Sequence, residues 1–409
     1  MAYLEAEISP FKSCAPWIMS ALLLIRSLRV LAQGELVELE MAVEYTYGDK
    51  LRFSATIPAP QTVARAAVFF RPQGSTRTQY LIANVSPGDP STAIAEHNLR
   101  ISPFSPFSSV EYWWQVDWED GSSSTSEHSS FIYDDNRFEW KLLPDPPLLV
   151  HWIHGDIGFG QAALDVANNA LQQIQRDWSF PPPRKLDIYI YDSTEAFQSA
   201  LSLSGRTWAG GHADPTIGVV LLAVSPGPEG FVDIERLLPH ELTHVMLYQR
   251  MGDNYRNLPE WFDEGMATLQ EMAPSAELRI ELENATQRGR ILSMETLCAA
   301  FPFTTSDAIL AYAESASFVQ YIKDVYGAGA INALIIAYQE GVTCTGGVQR
   351  VLQRTLRQVE VEWREAVLGQ TQAETTLGPL LPWILLSAPV ALVVIAGLLP
   401  LGRRRPKRR

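Results

Sequence analysis

At 409 residues, with 46% hydrophobic and 19% charged side chains, the chain is long enough for two or three folded units. Its formal net charge is −14, and six of its 32 basic residues lie in the tail 402–409, so the remainder is more acidic still. That balance argues against nucleic acid and other anionic polymers as partners and is compatible with neutral or basic peptides.

Lys12 precedes an apolar stretch, Ala15 to Ile25, of the length of a secretory h-region. Glu5 and Glu7 lie before it, Arg26 and Arg29 follow it, and no A-x-A cleavage site is evident. Residues 1–34 therefore read as an export signal, with Met19 as an alternative start, or as an uncleaved N-terminal anchor. Residues 35–143 carry short alternating runs at Leu51–Ile57, Arg65–Arg71 and Val110–Trp118, with a hairpin turn at Glu119-Asp120-Gly121 before Phe131-Ile132-Tyr133. This pattern predicts an antiparallel β-sandwich of immunoglobulin or fibronectin type, without the Cys…Trp…Cys pattern of a true immunoglobulin domain. The Tyr112-Trp113-Trp114 cluster reads as sandwich core or domain contact, with carbohydrate or peptide binding as the alternative.

Leu143-Pro144-Asp145-Pro146-Pro147 is a proline-rich break and the expected domain boundary. Beyond it, residues 148–370 begin strand-helix-strand. The amphipathic helix is Gln161–Trp178, with apolar Ala163, Val166, Ala170, Leu171 and Ile174. Asp192-Ser193-Thr194-Glu195 starts a capped helix, and further helices are expected at Ser315–Tyr326, Ile331–Gln339 and Gly347–Leu368.

His240-Glu241-Leu242-Thr243-His244 lies within this second unit. Residues four apart share one helix face, so both imidazoles can reach one metal ion, with Glu241 placed to take a proton from its water. Pro239 directly precedes the run, so the metal helix is expected to start there or to follow a separate kinked turn over 233–238. A second helix starts near Pro259, after turn residues Arg250–Asn254, and returns a carboxylate to the histidines. Glu264 is the favoured third ligand, with Asp263 and Glu260 behind it. His151 and His154 form H-x-x-H and are a weaker candidate for a second metal site.

HELTH followed by PEWFDEGMA resembles the gluzincin metallopeptidases, most closely the peptidase-MA-like proteins with a W-x-x-E-G second motif. The resemblance covers about residues 148–370. It implies an α+β metallopeptidase domain, Zn2+ held by His240, His244 and Glu264, and Glu241 as general base. It also likens 210–224 to the edge strand along the substrate cleft. Many gluzincins place an Asp four residues after the glutamate ligand to orient a histidine; this chain has Thr268 there, a weaker acceptor for that role. Tyr312 and His212 are candidates for the donor to the reaction's oxyanion.

Residues 371–379 read as a linker, and Leu380–Leu401 is an uncharged run long enough to cross a bilayer of about 30 Å. The basic tail 402–409 would lie in the cytoplasm by the positive-inside rule. The resulting expectation is a single-pass cell-membrane protein with its catalytic domain extracytoplasmic. Cys298 and Cys344 would then share an oxidising compartment and pair as a disulfide, or remain two buried thiols. The leading expectation of function is a membrane-anchored zinc metallopeptidase acting on protein or peptide. Its alternatives are a surface binding or adhesion protein with a peptidase-like fold, and a zinc hydrolase of non-peptide amides or esters. Oligomeric state is not legible.

Overall fold

In the strand Ser109–Trp118, Val110, Tyr112, Trp114, Val116 and Trp118 are buried and the residues between them are not. This is the period of two that an extended backbone imposes over a single core. The structure, a computed structural model, describes residues 35–370 except 59–60, 202–209 and 303. Its first unit contains β1 (Glu35–Leu36), β2 (Glu40–Thr46), β3 (Lys50–Ile57), β4 (Val63–Pro72), β5 (Gln79–Ile82), β6 (Asn84–Ser86), β7 (Ser91–Asn98), β8 (Ser109–Trp118), β9 (Ser123–Thr125) and β10 (Ser129–Ile132). One sheet runs β1-β9-β8-β4-β5 with β10 also on β8, and the other runs β2-β3-β7-β6. Among the described strands of this unit, only β1 and β9 pair in parallel. Across the two sheets Phe53 and Phe70 stack with ring centroids 5.3 Å apart. Tyr112 and Trp114 point into this core, whereas Trp113 stands on the outer face between Phe69 and His128.

The second unit comprises β11 (Lys141–Asp145), β12 (Leu148–Trp152), α1 (Ile157–Trp178), β13 (Leu186–Tyr191), α2 (Thr194–Leu201), β14 (Gly211–Asp214), β15 (Val219–Ala223) and α3 (Pro228–Met251). Six further helices follow: α4 (Glu260–Leu269), α5 (Ala276–Arg288), α6 (Thr305–Tyr326), α7 (Ala328–Gln339), α8 (Cys344–Leu352) and α9 (Leu356–Ala366). The sheet order is β11-β12-β13-β15-β14, parallel in the middle and antiparallel at both edges. The proline-rich break expected at the domain boundary is instead part of the β11–β12 hairpin, so the second unit's sheet takes in residues from Lys141 onward. The helix expected over Gly347–Leu368 is two helices. Gln353 turns the chain through the left-handed region (φ 56°), and a Thr355–Gln358 capping box starts α9.

The two units share a core. One face of the second sheet packs on α1 and α3, while Tyr189, Tyr191, Val219 and Leu221 on its other face join the sandwich core. Asp135, fully buried there, accepts from Arg137 at 2.7 and 2.6 Å and from the Tyr191 hydroxyl at 3.0 Å. Arg137 also reaches Ser199 Oγ at 2.9 Å, and the Tyr47 hydroxyl reaches Ala200 O at 3.1 Å. Through these bonds the sandwich holds α2 against the sheet.

Among the described residues no helix is long and apolar enough to cross a membrane. This corrects the fold expected from sequence, which added a C-terminal transmembrane helix, and the single-pass membrane localisation that depended on it. The run Leu380–Leu401, the tail 402–409, the linker 371–379 and the N-terminal segment 1–34 all lie outside the described residues.

Glu314 of α6 is fully buried beneath α9, where its carboxylate accepts from Leu292 N at 3.0 Å and faces Glu360 and Arg364. Burial, reinforced by Glu360, pushes its pKa up to about 8 against the opposing Leu292 bond and Arg364. The folded state therefore favours the neutral acid. Its stabilisation is complete below the unfolded value of about 4.5 and is lost as pH rises through about 8. Thermal unfolding temperature should fall over that window, and Glu314→Gln should flatten the fall; an unchanged pH profile in that variant would contradict the assignment.

Candidate metal centre

Helix α3 carries the H-E-x-x-H run, and it does so as one continuous element through Pro239. The expectation that the helix begins at Pro239, or follows a separate turn, is therefore corrected. An internal proline costs about 3 kcal/mol. Burial of Ile234, Leu238, Leu242, Val245 and Met246 on one side of α3 outweighs this, at about 1.5–3 kcal/mol each for the larger side chains. The carbonyl that the proline deprives of its helical donor is that of Glu235. It accepts instead from Met272 N at 2.9 Å, which fastens the segment following α4 beside His240.

Helix α4 returns antiparallel after the 3-10 turn Gly252–Asn257 and brings Glu264 to the histidines. Glu264 Oε2 lies 3.3 Å from His240 Nε2 and 3.4 Å from His244 Nε2. The three potential ligand atoms lie within 4.8 Å of one another, and among the described residues no other such group could hold a metal ion. The next residue, Gly265, lets α4 approach α6: a Cβ there would meet Ser315 O at 2.6 Å. Trp261, one turn earlier, donates from Nε1 to Cys344 Sγ at 3.2 Å. Cys344 is joined to Cys298 by a disulfide that ties α8 to the 3-10 turn Thr296–Cys298.

Both imidazoles are held from behind. His240 Nδ1 lies 3.2 Å from Glu271 Oε1, and His244 Nδ1 lies 3.0 Å from Asp263 Oδ1. Asp263 in turn accepts from the Tyr255 hydroxyl at 2.6 Å. Thr268, the expected orienting residue, does not serve: its buried Oγ1 has no hydrogen-bond partner. Glu271, three residues beyond it and past the end of α4, reaches the imidazole that Thr268 does not. Asp263, weighed from sequence as a ligand, binds the far side of His244 instead. Glu260, the other weighed ligand, lines the cavity without joining the cluster.

Glu264 Oε2 is buried without a hydrogen-bond partner. A carboxylate oxygen orphaned between two imidazole Nε2 atoms is the donor set of a tetrahedral zinc site with one open position, so these residues fit the ion. Burial works against charge on Glu264, but His244 and His240 outweigh it and hold its carboxyl far below the usual range. Burial likewise opposes a proton on His240, and Glu264 and Glu271 outweigh it, pushing the pKa up to about 9.

The centre opens into a cavity of about 650 Å³. Glu241 lines it, as do Tyr312, whose ring lies 6.0 Å from that of His240, and His212 on the sheet-edge strand β14. His151 and His154 are not brought together: His151 pairs with Asp187 at 3.2 Å, and His154 with Asp192 at 2.5 Å.

No curated protein sequence matches the chain. Solved structures similar to it include an aminopeptidase N family protein from Idiomarina loihiensis, at 9% identity over 82% of this chain and 72% of that one, with a TM-score of 0.34. A purple acid phosphatase from yellow lupin seeds is 9% identical over 47% of this chain and 35% of that one, TM-score 0.21. A polysaccharide deacetylase from Bacillus cereus is 8% identical over 42% and 58%, TM-score 0.21. Residues 166–369, the stretch that holds the whole cluster, match the model of the Peptidase MA superfamily, which supports a peptidase.

Proposed function

We propose that the protein is a zinc metallopeptidase of gluzincin type. The observation that carries this reading is the orphaned Glu264 oxygen between two imidazole nitrogens, with Glu241 in the same cavity. His240, His244 and Glu264 would hold zinc, which when bound supplies a Lewis acid that lowers the pKa of the attacking water to about 7. Glu241 accepts that water's proton and passes it to the leaving amine. Tyr312, which lines the same cavity, would be the donor to the oxyanion. β14 is a sheet edge whose residues line the cavity, so an extended peptide lying beside it would pair with its open backbone. Glu271 and Asp263 fix the imidazole orientations and raise their basicity as ligands. A purely structural metal site has no use for Glu241, which disfavours the binding-protein alternative.

In the full-length protein, Glu241→Gln should retain zinc while peptide-library cleavage falls by about 10²–10⁴-fold. Undiminished cleavage would remove Glu241 from the mechanism. Glu271→Gln should weaken zinc binding about 10–100-fold in chelator competition. Thr268→Val should leave zinc affinity unchanged and stability equal or higher, because it removes a buried hydroxyl that bonds to nothing.

A further inference from the structure

Gly211 opens β14 where that strand crosses the face of α3, and a Cβ built on it would lie 2.5 Å from Glu241 Oε1, 2.9 Å from Cγ and 3.0 Å from Cδ. All three distances are at or below the closest approach that real side chains tolerate. Turning the carboxylate alone would not relieve the overlap, because Cγ, a stem atom, is overlapped as well. Glu241 is itself only 8% exposed, so it is held in place by its surroundings. The backbone of Gly211 is ordinary extended strand, without a positive φ, so the demand for glycine here comes from space and not from conformation.

We infer that Gly211 is a positioning residue: the absence of a side chain on β14 sets the placement of the Glu241 carboxylate. This rests on the metallopeptidase reading for its catalytic consequence, but its steric content does not depend on it. A methyl group would have to push Oε1 by about 1 Å to regain ordinary contact. A displacement of that size at a proton-transfer group costs about 10²-fold in rate. The metal ligands His240, His244 and Glu264 are not among the atoms nearest that methyl group, so zinc affinity should be untouched.

The test is a double-mutant cycle in the full-length protein, read by thermal unfolding, by zinc affinity and by kinetics. Gly211→Ala should lower the unfolding temperature of the parent and have little effect in the Glu241→Ala background, where the overlapping atoms are gone. Gly211→Ala should also reduce kcat about 100-fold with KM changed less than about threefold and zinc affinity unchanged. In the Glu241→Asp background, whose carboxylate is one methylene shorter, its further effect on kcat should be under about threefold. If Gly211→Ala alone does not fold, recovery of folded, zinc-binding protein on adding Glu241→Ala carries the same conclusion. An equal loss of stability in both backgrounds, or a loss of zinc affinity, would overturn the inference. Coupling in the unfolding cycle without Glu241-dependent cleavage in the parent would instead overturn the catalytic consequence, and with it the metallopeptidase reading.

Discussion

The second unit is organised around one costly arrangement: a carboxylate oxygen, Glu264 Oε2, buried between two imidazole nitrogens with no hydrogen-bond donor of its own. An ionised carboxylate in that position persists only beside compensating positive charge. The local fold supplies the geometry for such compensation. The spacing of His240 and His244 puts both rings on one face of α3, the antiparallel return of α4 delivers Glu264, and Gly265 permits α4 to press against α6.

Support for the pair of imidazoles arises partly from a defect. Pro239 removes a donor from α3, and the freed Glu235 carbonyl captures the Met272 amide. The residue before Met272 is Glu271, which stands behind His240. A helix lesion adjacent to the first histidine thus anchors the chain that orients it. On the other side, Asp263 joins His244 to Tyr255, so a residue next to the candidate ligand holds the neighbouring imidazole. The sandwich adds a longer-range restraint, gripping α2 through Tyr47 and Arg137, and Leu201 at the end of α2 reaches the cavity wall.

Much of this architecture was legible in the sequence because it rests on short-range periodicity. Alternation at Leu51–Ile57 and Val110–Trp118 marked strands of the sandwich, and the i,i+4 histidines marked a helix face. Where legibility failed, long-range packing had prevailed over local preference. Pro144, Pro146 and Pro147 read as a break at a domain boundary, yet the first lies on an edge strand, where a missing donor costs little, and the other two sit at the adjoining hairpin. Pro239 read as a helix boundary, yet the buried face of α3 carries the helix through it. Glu271 was invisible because it lies beyond the end of α4, where helical spacing from Glu264 no longer predicts direction. Gly211 was equally hidden, since its neighbour Glu241 is 30 residues away in the chain and meets it only in the folded protein.

Zinc K-edge X-ray absorption on the purified full-length protein, loaded with one equivalent of zinc, tests the central claim most directly. The account predicts two imidazole nitrogens and carboxylate and water oxygens at about 2.0–2.2 Å, with no sulfur shell. It further predicts that the imidazole signal is lost when His240 and His244 are both replaced. A shell containing sulfur, an all-oxygen shell, or a spectrum unchanged by those replacements would contradict it.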